Sequence, residues 1–88
     1  MPAGYNFEIY PNSANDNVRI SWQIDIEDNV QIILYNHLGQ QVWTLLNELR
    51  RQGKNEINFD IKILNNGFYF VKLITGPKFK IEKINIIK

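Results

Sequence analysis

The single histidine, His37, is where proton-transfer chemistry has to be sought first, because imidazole is the side chain that titrates nearest neutral pH. A hydrolytic triad needs it beside a nucleophile, and with no cysteine in the chain the candidates are Ser13 and Ser21. Neither serine lies in a Gly-x-Ser-x-Gly elbow, and His37 falls in Asn36-His37-Leu38-Gly39, a turn whose polar residues serve the backbone. One histidine without cysteine also leaves no His/Cys set for zinc. Asp25, Glu27 and Asp28 suggest the paired carboxylates of glycoside hydrolysis, but they share one expected hairpin turn with no apolar pocket to raise a carboxyl pKa. The run Asn12-Ser13-Ala14-Asn15-Asp16-Asn17 has the composition of a cation loop. No glutamate follows at the interval of a bidentate calcium ligand, and Asx turns account for the same residues in a compact loop. No metal, cofactor or small-molecule substrate is expected, and the chain does not read as an enzyme.

Flat aromatics and cations offer binding chemistry instead. Trp22 shares parity with Val18 and Ile20 and so belongs to the core, whereas Trp43 alternates against Val42 and is the one candidate for stacking on a sugar ring. Net charge is +1, unevenly spread: residues 1–60 carry four Lys/Arg against eight Asp/Glu, and residues 61–88 carry six against one. Lys78, Lys80, Lys83 and Lys88 interleave with Phe79, Ile81, Ile84, Ile86 and Ile87, which describes a strand with a solvated basic face. One aromatic and no glycine-rich or RNP-like motif in that segment argue against nucleic acid.

These residues need elements to hold them. At 88 residues there is room for one domain burying roughly 60–65% of its unfolded surface. The strongest organiser is Asn66-Gly67-Phe68-Tyr69-Phe70-Val71-Lys72-Leu73: a turn signal followed by a strand with Tyr69, Val71 and Leu73 inward and Phe68, Phe70, Lys72 and Ile74 outward. Earlier in the chain, residues 6–10 form a short strand ending at Pro11-Asn12, and residues 18–24 alternate most cleanly. A third strand over residues 30–35 has apolar residues on both faces in its second half. Gly39, expected at positive φ, turns it into a fourth over residues 40–46, with a bulge near Thr44 because Val42 and Leu45 lie three apart. Residues 47–52 are expected as a turn and 54–60 as a strand with Ile57 and Phe59 inward. Residues 60–65 form a plug of about one helical turn closed by Leu64, and Gly76-Pro77 leads to a last strand over residues 79–87. The fold class is all-β: a seven-stranded antiparallel immunoglobulin-like β-sandwich over residues 7–88, with residues 1–6 a linker. No apolar run approaches the length of a membrane span, and Met1-Pro2-Ala3-Gly4 has no charged n-region with an apolar h-region behind it; if the chain is a fragment of a longer protein, any export signal is expected upstream on that parent chain.

Five short stretches in register carry a resemblance. Tyr10-Pro11-Asn12 with Ala14-Asn15-Asp16, Leu34-Tyr35-Asn36 with Leu38-Gly39-Gln40, Val42 and Leu45, Gly67-Phe68-Tyr69 with Lys72-Leu73, Lys83-Ile84, and Lys88 are together similar to the type A C-terminal sorting domain of the type IX secretion system of Bacteroidota and relatives. Ser13 stands where that family usually has the second proline of Pro-Asn-Pro. The resemblance implies a folded secretion signal covalently attached to an N-terminal cargo. The cargo crosses the periplasm and then the outer membrane through the type IX translocon and its shuttle proteins, and a sortase-like protease cleaves the domain for surface attachment or release. It also implies Gly67, Tyr69, Lys72, Lys83 and Lys88 as the recognition region, with Pro11, Asn12 and Gly39 structural. The alternatives are a structural immunoglobulin-like spacer, which more chain would follow, and a carbohydrate-binding or adhesion module using Trp43. Replacing both Lys83 and Lys88 with alanine is expected to leave thermal stability nearly unchanged, because exposed charges contribute little.

Overall fold

The computed structural model describes residues 7–10, 13–14 and 16–88. In chain order the elements are β1 (Phe7–Tyr10), β2 (Ser13–Ala14), β3 (Asn17–Ile24), β4 (Asp28–Asn36), β5 (Gln41–Arg50), β6 (Gly53–Asp60), β7 (Gly67–Thr75) and β8 (Lys78–Ile86). They form two sheets, β1-β3-β6 and β2-β8-β7-β4-β5. All neighbours are antiparallel except β2, which sets Ser13 and Ala14 parallel to Asn85 and Ile86. The all-β sandwich of seven antiparallel strands is therefore present, with β2 as a two-residue addition inside the stretch expected to be only a loop. The expected turn residues Pro11 and Asn12, the residue Asn15 and the proposed linker lie outside the described residues.

Two-residue alternation decides which side chains enter the space between the sheets. Val18, Ile20, Trp22 and Ile24 of β3 face Val30, Ile32 and Leu34 of β4 and Tyr69, Val71 and Leu73 of β7, and all are buried. Each such apolar side chain, taken out of water, contributes about 1.5–3 kcal/mol, which makes this one cluster the source of the domain's stability. Trp22 is 1% exposed, its indole N–H has no hydrogen-bond partner, and the Arg50 guanidinium lies 5.7 Å from its ring centroid. Ile61 and Leu64 seal one end: Leu64 N–H donates to Ile61 O in a single turn, and Ile61 N–H donates to Asp16 O. That is the expected plug.

Several connections differ from the sequence expectation. β5 continues extended to Arg50, so the turn predicted over residues 47–52 shrinks to Arg51 and Gln52; cross-strand pairing of Asn47, Glu48, Leu49 and Arg50 with β4 outweighs their polarity. The segment holding Asp25 and Glu27 is no hairpin, because β3 and β4 lie in different sheets and the chain crosses between them there. Asn66-Gly67 is likewise a crossover, with φ of 143° at Gly67 alone. The bulge is present twice: Leu45 and Val42 are each left over where β5 slips against Ile32/Ile33 and Leu34/Tyr35.

Candidate functional site

The outward surfaces of the two sheets differ in chemistry, and the difference follows from parity. On β1-β3-β6 the outward residues include Glu8, Tyr10, Arg19, Ser21, Gln23, Lys54, Glu56 and Asn58, a polar surface with both signs of charge. Tyr10 Oη donates to Glu8 Oε1 at 2.6 Å, and Arg19 Nε lies 3.4 Å from Glu56 Oε2. The hydrogen bond to Glu8 is the main reason the Tyr10 phenol titrates above its ordinary value; slight desolvation and the Glu8 charge add to it, and Arg19 opposes it.

On the larger sheet the outward positions of β7 are Phe68, Phe70, Lys72 and Ile74, and those of β8 are Phe79, Ile81, Lys83 and Asn85. Phe68, Phe79 and Ile81 are 49%, 60% and 50% exposed. β7 and β8 are joined by the two-residue turn Gly76-Pro77, with φ of 59° at Gly76 as hairpin turns of this length require at the first central position. This turn fixes the register so that each strand's lysine reaches the other strand's phenylalanine on the diagonal. Lys83 Nζ is 4.2 Å from the Phe68 ring centroid, and Lys72 Nζ is 4.8 Å from that of Phe79. Among the described residues the ion pairs are Arg19 with Glu56 and Arg50 with Glu48, so neither lysine meets a carboxylate.

The five expected recognition residues divide into two groups. Lys72 and Lys83 share the outward face just described. Gly67, Tyr69 and Lys88 gather instead at the plug. Tyr69 is buried and its hydroxyl donates to Asn65 O at 2.9 Å; Lys88 N–H donates to Asn66 Oδ1 at 3.1 Å; and the Lys88 ammonium donates to the carbonyls of Lys62, at 2.6 Å, and Leu64. Lys88 thus has a packing role that sequence reasoning did not assign, and Lys83 has one on Phe68. The carbonyl cradle could not be found from side-chain types, since its acceptors are backbone. The lysine and phenylalanine pairing did leave a signal: Phe68 and Lys72 are four apart, and so are Phe79 and Lys83, on either side of a short turn.

The remaining candidates are not gathered around any of these groups. Gly39 takes φ of 82° and closes the β4–β5 hairpin, where Asn36 Oδ1 accepts from the N–H groups of Leu38 and Gln40, and His37 is exposed at that tip. Ser21 is on the outward polar surface of β3. Asp28 Oδ1 accepts from the Asn29 N–H. Trp43, the possible sugar platform, is 42% exposed but stands edge to face against Phe59 at 5.2 Å, bridging the two sheets at their rim. No helix among the described residues is long and apolar enough to cross a membrane.

The family model of the secretion system C-terminal sorting domain matches residues 8–88, which takes in β1 after its first residue and every later strand. No curated protein and no solved structure matches the chain.

Proposed function

The chain belongs to the secretion system C-terminal sorting domain family, a C-terminal secretion signal for type IX sorting, and from that premise we propose how it serves an attached cargo. The cargo is joined upstream of β1 and is delivered through the outer-membrane translocon. Shuttle proteins meet the folded domain, and a sortase-like protease then separates it from the cargo at the cell surface. The domain itself acts as a non-catalytic address. The observation that carries this reading is the continuous match from residue 8 to residue 88, because a signal of that extent is the whole sandwich rather than a linear tag.

Within the domain, the recognition role falls on Gly67, Tyr69, Lys72, Lys83 and Lys88 in two ways. Lys72 and Lys83 are available for direct contact on the outward face of β7 and β8. Gly67, Tyr69 and Lys88 act by holding the shape of the plug and the start of β7, since Tyr69 is interior and the Lys88 ammonium is engaged by carbonyls.

Fusion of residues 1–88 behind a periplasmically directed reporter, in a host with a type IX system, tests the reading. The reporter is expected at the cell surface or in the medium. A stable fusion that accumulates in the periplasm rejects it.

A further inference from the structure

We propose that the outward face of β7 and β8 docks a protein partner that presents carboxylates set among apolar side chains, with Lys72 and Lys83 as the charge anchors and Phe68, Phe79 and Ile81 as the apolar contact. The inference rests on the sorting reading only for where the partner is met. Its basis is the contrast between the two sheet surfaces. The β1-β3-β6 surface carries carboxylates among its cations, Glu8 and Glu56 with Arg19 and Lys54, and it pairs Arg19 with Glu56 and Tyr10 with Glu8. The β7-β8 surface exposes three large apolar side chains and holds two ammonium groups with no carboxylate of their own. Lys72 pairs with Ile81 and Lys83 with Phe70, so the two lysines are diagonal neighbours whose backbones are about 7–8 Å apart. The side chains lean apart, Lys72 toward Phe79 and Lys83 toward Phe68, so the partner carboxylates that meet both ammonium groups are set wider apart than the two backbones. Each contact is worth more once the flanking phenylalanines exclude water.

The geometry disfavours the other occupants. A lipid-inserting surface needs apolar side chains free to sink below the headgroups with cations at the rim, whereas here the cations stand over the rings themselves. A sugar stacks on an open ring face, and an ammonium already lies over both Phe68 and Phe79. A second copy of the chain would bring Lys72 and Lys83 against their own equivalents, and like charges in an interface oppose association.

The test places a photo-reactive phenylalanine analogue at position 79 of the reporter fusion in the exporting host, with a second probe at Ser21 on the polar surface as control. A protein crosslink at position 79 and none at 21 is expected. In Lys72→Glu with Lys83→Glu it should fall about tenfold or more. The crosslinked protein, once purified, should bind the domain more weakly as salt rises, and binding of Lys83→Glu should be rescued by reversing a carboxylate on that protein. Circular dichroism and melting of the double variant establish that it is folded, and Lys72→Gln with Lys83→Gln replaces it if it is not. The proposal is overturned if the doubly altered domain crosslinks and is exported like the parent, which leaves the sorting reading intact. It is overturned equally if the crosslink is to lipid alone and the domain floats with phosphatidylglycerol vesicles through the same lysines. Failure of the unaltered fusion to reach the surface tells against the sorting reading instead, and the purified-partner binding still decides the surface.

Discussion

The ammonium of Lys88 donates a 2.6 Å hydrogen bond to the carbonyl oxygen of Lys62, tying the end of the larger sheet to the turn that precedes β7. A second bond from the same ammonium reaches Leu64 O, and the Lys88 N–H reaches Asn66 Oδ1. A cation shared by two carbonyls of one turn satisfies acceptors that no strand supplies, which keeps Leu64 over the end of the core.

Lys88→Ala is therefore expected to lower stability by about 1–2 kcal/mol, read as a fall in melting temperature with faster amide exchange in residues 61–66. Lys83→Ala, which removes only a ring contact at an exposed site, should cost about 0.5–1 kcal/mol. The double substitution should thus be visibly destabilised. This replaces the expectation, drawn from residue types alone, that it would be silent.

Ile84 lies in the strand that pairs with β7 and is 1% exposed. Ile84→Ala should cost about 2–5 kcal/mol, measured by denaturant unfolding. Deleting residues 84–88 removes Ile86 and the Lys88 contacts as well, so loss of export in that deletion would report unfolding. Export assays of the tail need the single lysine variants instead.

Gly76 combines φ of 59° with a position where an added Cβ would meet Asp28 Oδ2 at 3.1 Å. Gly76→Ala should destabilise by about 1–2 kcal/mol through the left-handed backbone. Adding Asp28→Ala should recover only the contact part, so thermal melts of the two variants separate strain from crowding.

Trp43 acts on Phe59 across the rim of the sandwich. Trp43→Ala should lose about 0.5–1.5 kcal/mol of ring pairing in addition to buried area, with a change in near-ultraviolet circular dichroism, and Trp43→Phe should keep most of both. Glycan binding that disappears in Trp43→Ala while the melting temperature stays unchanged would contradict this assignment.

The Tyr10 phenol, raised above 10.0 chiefly by its hydrogen bond to Glu8, gives stability a pH dependence of known sign. Because the folded state holds this proton more tightly than the unfolded state, the contribution is fully present below pH 10. It fades as pH rises through the folded value. Glu8→Gln should move the Tyr10 titration back toward 10.0, followed by NMR at the Tyr10 ring.

Alternation in the chain determined the strands and their inward faces: Val18 to Ile24, and Tyr69, Val71 and Leu73, are buried as their spacing requires, because a pleated strand sends successive side chains to opposite sides. The motifs in register, from Tyr10 to Lys88, likewise held enough of the family's pattern to be read without a structure. What alternation cannot state is which strands share a sheet. Only the folded chain decided that Asp25 and Glu27 sit on a crossover, that Trp43 leans on Phe59, and that Lys88 is held by carbonyls of Lys62 and Leu64. Those relationships join residues far apart in sequence through backbone atoms or ring edges, which residue type does not encode. Lys72 and Lys83 fall between the two cases: their parity was written in the sequence, and the register set by Gly76-Pro77 placed each over the other strand's phenylalanine.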